Sequence, residues 1–265
     1  MQKQTTMTPS ELIAQVRSGL IQISLERQGE RLGSGSGFLV EGGIVTNSHV
    51  IRPAGKIDAI TLRLADTDSD DSIRLLPENC YQAVAAESPE NEKDYAFLRL
   101  SEPEFENRYR FLFEELLHLV VGEQVVFLGF PLDMSQLTAH IGYISSIFDN
   151  RYNIRTIQID GSVNGGNSGG PLLNLNGKVI GIVTRAVTGL IDEQFKTLIQ
   201  SLRDSQIALQ SAQRIMRLGS IDPIKAIQAS QSAMEQIAVN LQRSANVGIG
   251  YAYSAEYIRK HIQCL

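Results

Sequence analysis

The hydrophobic pattern of the chain changes twice along its length. Residues 8–18 begin with Thr8-Pro9 and carry Glu11 three positions after Thr8, which predicts a short helix with a capping box. From Leu20 onward, short runs rich in β-branched residues are separated by Gly and Asp/Ser turns, which predicts strands. The runs are LIQISLE, GSGFLV, GIVTN, AITLRLA, YQAVAAE and DYAFLRL, then GEQVVFLGF, QLTAHIGYISSIF, IRTIQID, GPLLNL and KVIGIVTR. Many short strands with few helices predict a sandwich or barrel in two halves, divided near SEPEFENRYR.

The pattern between residues 190 and 243 is helical instead. Apolar residues recur three and four positions apart, with polar interruptions at Ser205 and Gln231. Gly219 is a suitable C-cap for a first helix, and Asp222-Pro223 supplies an N-cap and first residue for a second. We therefore predict a helical hairpin, followed by one more strand in NVGIGYAY and a closing helix in SAEYIRKHIQ.

Composition and charge exclude several classes of protein. The chain has 265 residues, of which 43% are hydrophobic, so it can bury a core. Its net charge of −5 gives no basic surface for nucleic acid, and no apolar run is long enough to span a membrane. Two cysteines, Cys80 and Cys264, are too few for a disulfide scaffold, and the start lacks the apolar run of a secretory signal. We therefore expect a cytoplasmic protein that binds neither nucleic acid nor membrane.

A glycine-rich segment around Ser168 carries the candidate chemistry. Four glycines in the run NGGNSGGP, residues 164–171, allow a tight loop whose backbone amides turn inward. Such a loop can present Ser168 as a nucleophile, with an oxyanion hole formed from the backbone of Gly166, Asn167 and Ser168. A serine needs a general base, and His49 lies just after a predicted strand. Asp94 begins another strand and can orient the imidazole, so the order along the chain is His, Asp, Ser.

These segments resemble a known family. GSGSGFLVEGGIVTNSHVI, DYAFLRL and GNSGGPLLNLNGKVIGIV are similar to trypsin-like serine proteases, and within them to the HtrA/Deg branch. The resemblance covers residues 12–188 and 246–263 and implies a mainly β fold of two six-stranded antiparallel β-barrels with the active site between them. It also implies peptide-bond hydrolysis through an acyl-enzyme, in which Ser168 attacks, His49 transfers the proton and Asp94 orients His49. It implies no metal and no organic cofactor.

The resemblance also suggests a division into domains. We expect an N-terminal helix in residues 1–18, a first barrel in 19–105, and a second barrel in 106–188 with 246–265. The helical hairpin, residues 189–245, is then an insertion before the last strand. Members of the family often carry PDZ domains, and the sequence ends at Leu265 with no room for one. We therefore expect regulation to depend on the hairpin and not on a PDZ domain.

Four further residues match positions that bind substrate in this family. Ser162, six residues before the serine, corresponds to the base of the primary specificity pocket. Because Ser162 is uncharged, we expect cleavage after small or medium aliphatic residues and not after Lys or Arg. Val183, Thr184 and Arg185 match the strand that pairs with substrate backbone. Arg185 either selects an acidic substrate side chain or is solvated at the strand end.

Three functions remain open from the sequence. The leading hypothesis is a bacterial serine endopeptidase that cuts selected protein targets and is gated by the hairpin. The alternatives are a general degrader of unfolded proteins and a latent binding or scaffold module with a protease fold. The hairpin, residues 190–243, is either a self-supporting helix pair or a docking device for a partner helix or a second copy. The expected partners are thus protein or peptide substrates and, through the hairpin, a homo-oligomer or another protein.

Overall fold

The computed structural model describes residues 7–53, 55–66, 72–115, 118–184, 189–212, 223–244 and 248–262. The chain divides into two units, of which the first takes residues 1–185 and 248–265 and the second takes residues 186–247. In the part of the chain that is described, no helix is both long and apolar enough to cross a membrane.

The first sheet of the larger unit contains seven strands. They are β1 (Leu20–Arg27), β2 (Glu30–Val40), β3 (Gly43–Thr46), β4 (Ala59–Leu64), β5 (Ser72–Leu75), β6 (Val84–Ser88) and β7 (Tyr95–Leu98). Their spatial order is β5-β4-β1-β2-β3-β7-β6, and every neighbouring pair is antiparallel. The sequence predicted six strands here, because β5 is a four-residue edge strand too short to show a clear pattern. The pairings among the described residues leave this sheet open.

Three helices accompany the first sheet: α1 (Pro9–Val16), α2 (Ser48–Ile51) and α3 (Pro77–Ala83). Helix α1 begins with the predicted capping box, in which Glu11 N donates to Thr8 Oγ1 and Thr8 N donates to Glu11 Oε2 at 2.9 Å. Helix α3 occupies the first half of a predicted strand. Pro77 fixes a helical φ at the first position, and the buried Cys80 anchors the helix, so β6 begins only at Val84.

The second sheet closes into a barrel. Its strands are β8 (Leu112–Phe113), β9 (Gln124–Gly129), β10 (Thr138–Asp149), β11 (Arg155–Asp160), β12 (Pro171–Asn174), β13 (Lys178–Thr184) and β14 (Ile249–Ser254). The order is β12-β9-β10-β11-β14-β13, and β12 also pairs with β13, which closes six antiparallel strands as the sequence predicted. The two-residue strand β8 adds to β13 in parallel.

Each sheet has its own apolar core, and a third apolar cluster joins the two sheets. The joining cluster contains Phe38 and Phe97 from the first sheet and Val126 and Leu128 from the second, all buried. Within it, Phe38 meets Phe111 edge to face at a centroid distance of 5.4 Å. Because this cluster draws on both sheets, the two sheets form one packed body.

The smaller unit is a helical hairpin of α4 (Gly189–Ala212) and α5 (Pro223–Ser244). The two polar interruptions of its sequence pattern meet each other, since Gln231 Nε2 donates to Ser205 Oγ at 2.6 Å. Arg203 also pairs with Glu235 at 2.7 Å across the hairpin. The predicted caps at Gly219 and Asp222 lie outside the described residues. A last helix, α6 (Glu256–Ile262), belongs to the larger unit.

Candidate active site

The short helix α2 holds the candidate base, His49, at the end of β3. Its N-cap residue, Asn47, is completely buried and donates from Nδ2 to the Asp94 carbonyl oxygen at 2.6 Å. Ser48 Oγ and the Arg52 guanidinium both donate to Glu87 on β6, at 2.7 Å and at 3.0–3.1 Å. The helix that carries His49 is therefore tied to β6 and to the residue just before β7.

The Asp94 carboxylate is buried and accepts hydrogen bonds from two residues. His49 Nδ1 lies 2.8 Å from Asp94 Oδ2, and the His49 backbone N–H donates to Oδ1 at 3.1 Å. Thr184 Oγ1 donates to Oδ2 at 2.9 Å. Asp94 is only 2% exposed and has a φ of 46°, in the left-handed region that non-glycine residues rarely adopt. This arrangement fixes the orientation of the imidazole and leaves Nε2 as the nitrogen that can exchange a proton.

The residues on either side of Asp94 contact the last helix. The Lys93 ammonium lies 4.9 Å from the centre of the Tyr257 ring, and the Tyr95 hydroxyl contacts His261 Nδ1. Tyr95 is almost fully buried. Helix α6 thus braces the start of β7, from which Asp94 projects.

The charge of Asp94 also reaches the second sheet. Burial raises the pKa of Tyr253, on β14, to about 12, and the negative charge of Asp94 adds to that rise. Tyr253 is therefore neutral over the whole range in which a serine protease works.

The glycine-rich loop of Ser168 is packed against the strand end that leads to His49. Gly169 has a φ of 87°, and a Cβ there would lie 2.1 Å from the Ser36 carbonyl oxygen and 3.0 Å from Asn47 N. Ser36 N donates to the Ser168 carbonyl oxygen at 2.7 Å. Only glycine allows this approach, and the approach brings Ser168 to the same end of the first sheet as His49.

Ser168 is 5% exposed. Its hydroxyl makes no hydrogen bond to His49 within the described part of the chain. In enzymes without bound substrate the contact between nucleophile and base is often long and tightens on binding. The contact between His49 and Asp94 is already formed.

The amides of the loop divide into engaged and free donors. Asn167 N donates to the Asn164 carbonyl oxygen, Gly169 N to that of Val183, and Gly170 N to that of Asn167. The N–H groups of Gly166 and Ser168 make no hydrogen bond within the described ranges. The sequence also assigned the backbone of Asn167 to the oxyanion hole, but its N–H is occupied by the Asn164 carbonyl oxygen, so Gly166 and Ser168 are the residues of the predicted set with a free N–H.

The predicted substrate residues have varied surroundings. Ser162 is half-buried and accepts a hydrogen bond from Gly248 N at 3.1 Å. Val183 donates to the Gly170 carbonyl oxygen and accepts from Gly169 N, so its backbone holds the nucleophile loop and is not available to substrate. The expected pairing of Val183 with substrate is therefore wrong. Thr184 directs its hydroxyl to Asp94, and Arg185 lies outside the described residues.

Sequence reasoning missed two residues of this site. Asn47 and Ser36 look like ordinary polar positions at the edges of β runs, and no local pattern distinguishes them. Each is completely buried and bonded to a residue more than 40 positions away, which only the fold reveals. No three His, Cys, Asp or Glu side chains are grouped for metal binding in the ranges that the structure describes.

Comparison with known proteins agrees with this geometry. A family model described as a trypsin-like peptidase domain matches residues 35–182, more than half of the chain. The chain belongs to the trypsin-like peptidase family. A solved structure described as the HtrA-type protease AlgW with tripeptide aligns with a TM-score of 0.61 at 18% identity, covering 97% of this chain and 63% of that one. The expected mainly β, trypsin-like fold and the assignment to the serine proteases are confirmed.

The curated relatives support the HtrA/Deg branch of this peptidase family. The probable periplasmic serine endoprotease DegP-like of Chlamydia pneumoniae is 35% identical over 161 residues, which cover 58% of this chain and 29% of the relative. The periplasmic pH-dependent serine endoprotease DegQ of Escherichia coli (strain K12) is 30% identical over 229 residues, covering 81% and 45%. Both relatives are bacterial, as expected for this chain. The chain spans less than half the length of either relative.

The comparisons correct the expected location. The sequence predicted a cytoplasmic peptidase, but these relatives are named periplasmic endoproteases, which points to the periplasm. The cysteine count could not decide this question, because a domain with a large apolar core needs no disulfide in either compartment.

Proposed function

We propose that this peptidase domain is a serine endopeptidase that hydrolyses peptide bonds through an acyl-enzyme. The observation that carries the proposal is the 2.8 Å contact between His49 Nδ1 and the buried Asp94 carboxylate, at the end of the first sheet where the Ser168 loop is packed. Ser168 is the nucleophile, His49 the general base and acid, and Asp94 the residue that orients and stabilises His49.

The reaction follows from the protons that each group holds. Ser168 Oγ attacks the peptide carbonyl carbon as His49 Nε2 takes the hydroxyl proton, which gives a tetrahedral oxyanion and an imidazolium. The N–H groups of Gly166 and Ser168 stabilise the oxyanion. His49 then gives its proton to the leaving amine as the C–N bond breaks. Water repeats the sequence, with His49 as base, and releases the carboxylic acid and free Ser168.

Substrate preference rests on the neutral Ser162 side chain. Its hydroxyl oxygen accepts from Gly248 N, so no negative charge stands at this position to attract Lys or Arg. We propose cleavage after small or medium aliphatic residues, with Thr184 and Arg185 in the strand that pairs with substrate backbone.

The helical hairpin is the proposed site of regulation and self-association. On α5, Ile227, Met234 and Ile237 are between 46% and 58% exposed, beside the buried Ile224 and Ala238. An exposed apolar stripe next to a packed one favours docking of a second copy or a partner helix. We propose that such docking gates the active site for selected protein targets.

Fluorophosphonate labelling, followed by intact mass, tests the catalytic proposal. We expect one adduct on the wild type and none on Ser168→Ala. No adduct on either protein would contradict an active triad and favour the latent scaffold alternative.

A second experiment tests targets and gating. We expect deletion of residues 190–243, joined by a short linker, to change both oligomeric state and the labelling rate. Unchanged values for both would refute gating. Promiscuous degradation of unfolded casein by the wild type would favour a general degrader over a selective peptidase.

A further inference from the structure

A buried serine of the first sheet lies against the turn formed by residues 164–167, which connects two strands of the second sheet. Ser36, on β2, is completely buried. Its Oγ donates to the Gly166 carbonyl oxygen at 2.6 Å and accepts from Phe130 N at 3.0 Å. Ser36 N donates to the Ser168 carbonyl oxygen at 2.7 Å, and Thr46 Oγ1 holds the Ser36 carbonyl oxygen at 2.7 Å. Ser36 therefore binds the carbonyl oxygens of Gly166 and Ser168, the two residues whose N–H groups are proposed to form the oxyanion hole.

The turn that presents the Gly166 amide has two possible orientations. Residues 164–167 form a turn closed by Asn167 N and the Asn164 carbonyl oxygen, and Gly166 has a φ of 100°. A positive φ at the third position defines a type II turn, whereas the type I turn flips the central peptide by about 180°. Because a flip reverses the N–H of Gly166, only one of the two orientations can supply an oxyanion donor.

Hydrogen bonds on both sides of Gly166 hold the turn. The bond to the Gly165 carbonyl selects the type II orientation of the central peptide, and the bond to the Gly166 carbonyl fixes the peptide that follows it. The Gly165 carbonyl oxygen accepts from Leu132 N at 2.7 Å, and the Gly166 carbonyl oxygen accepts from Ser36 Oγ. In a trans peptide the N–H points away from the C=O, so anchoring the Gly165 carbonyl at Leu132 directs the Gly166 N–H to the opposite side. Every polar group of the two peptides beside Gly166 is thus engaged except that one N–H.

The Leu132 donor is itself held by the first sheet. Leu132 has a φ of 55°, a strained value for a leucine, and its side chain is 64% exposed. The residues that follow it are anchored by Gln22 Nε2, which donates to the Met134 carbonyl oxygen at 2.8 Å, and by Arg63, which donates to that of Ser135. The strain is retained because neighbouring contacts fix the loop.

We infer that Ser36 is a positioning residue of the oxyanion hole, which keeps the Gly166 N–H turned towards the reacting carbonyl. This inference rests on the proposed function. Without the Ser36 hydroxyl, the Gly166 carbonyl and the Phe130 N–H lose their buried partner, so the peptide after Gly166 is no longer fixed and the central peptide can flip. Glycine at 166 allows that flip, because it tolerates both signs of φ.

The test compares Ser36→Ala with Ser24→Ala. Ser24 is a half-buried serine on β1 whose hydroxyl makes no hydrogen bond in the described part of the chain. Loss of an oxyanion donor costs about 100- to 1,000-fold in kcat, so partial misorientation in Ser36→Ala should lower kcat about 10- to 100-fold. We expect KM for an N-acetyl-valine p-nitrophenyl ester to stay within about threefold, because the hole binds the transition state and not the ground state.

Inhibition by a peptide aldehyde separates positioning from a structural role. The hemiacetal that the aldehyde forms with Ser168 places its oxygen in the oxyanion hole, so its Ki should rise in parallel with the loss of kcat. A purely structural role would lower the melting temperature of Ser36→Ala while leaving kcat and Ki at the Ser24→Ala values. That result would overturn the inference.

A second pair of variants approaches the same peptide from its other side. Leu132→Pro releases the Gly165 carbonyl, because proline has no N–H and cannot adopt the φ of 55° at this exposed position, whereas Leu132→Ala retains the N–H. We expect Leu132→Pro, but not Leu132→Ala, to lose kcat as Ser36→Ala does. Equal kcat for the two would count against the inference. Absence of a fluorophosphonate adduct on the wild type would instead refute the proposed function.

Discussion

The hydroxyl of Thr184 provides a sharp test of how the proposed triad is held. It is one of three donors to the buried Asp94 carboxylate, at 2.9 Å, and the other two come from His49. Thr184→Val keeps the shape of the side chain and removes only that donor. Thr184 is itself buried, so water has little access to replace it.

The expected effect is larger on stability than on catalysis. A hydrogen bond to a charged group contributes about 1.5–3 kcal/mol, so the free energy of unfolding should fall by about that amount. Asp94 carries the same negative charge in the ground state and in the transition state, so the lost bond weakens both states similarly. We therefore expect kcat/KM to fall less than about tenfold, whereas Asp94→Asn, which removes the charge, should cost about 10⁴-fold.

Urea unfolding and ester hydrolysis measure the two quantities on the same preparations. Thr156→Val is a matched control, because Thr156 Oγ1 is buried and donates to the neutral Ile154 carbonyl oxygen at 2.9 Å. The control should lose about 0.5–1.5 kcal/mol and no activity. A loss of 1,000-fold in kcat/KM for Thr184→Val with unchanged stability would refute the reasoning, since the hydroxyl would then act selectively in the transition state.

Three other predictions follow from the same structure. Gly166→Ala should lose at least about 100-fold in fluorophosphonate labelling rate, because its Cβ would meet backbone at 2.1 Å, whereas Gly165→Ala, with no atom within 4 Å, should label normally. Burial raises the pKa of the Cys80 thiol from 9.0 to about 11, so only the unfolded thiol ionises between these values. Stability should thus be intact below pH 9 and fall by about 3 kcal/mol towards pH 11, and Cys80→Ala should flatten that slope in alkaline unfolding curves. In the hairpin, Gln231→Leu combined with Ser205→Ala should leave helicity and melting temperature equal or higher, because Gln231 Oε1 is buried with no hydrogen-bond partner among the described residues. A lower melting temperature would contradict this.

Local signals in the sequence were sufficient wherever the structure depends on neighbours along the chain. The capping box of Thr8 and Glu11 formed as predicted, because both partners lie within one turn. The helical period of the hairpin was recognisable for the same reason, and its two interruptions, Ser205 and Gln231, proved to be partners. The order of the His, Asp and Ser motifs identified the family, because the residue types that this chemistry needs are few.

Contacts between segments that lie far apart in the sequence could not be predicted from the local pattern of residues. Alternation along β13 shows which face a residue occupies, but it does not show that Thr184 on that face meets Asp94, 90 positions earlier. The same holds for Ser36, whose partner Gly166 is 130 residues away. The predicted strand YQAVAAE failed in its first half because Pro77, just before it, starts a helix that β-propensity does not detect.

Because the site takes residues from both sheets, the order in which the chain is synthesised decides when the site can form. During synthesis, His49, Asp94 and Ser36 leave the ribosome long before Ser168. If synthesis stops before residue 168, the chain contains the proposed base, His49, but not the proposed nucleophile, Ser168. Even after synthesis is finished, the turn of residues 164–167 is not held in place until the two sheets pack together, because only then can the Ser36 hydroxyl bind the Gly166 carbonyl. On the proposed mechanism, peptidase activity therefore appears only after both sheets have folded and packed together.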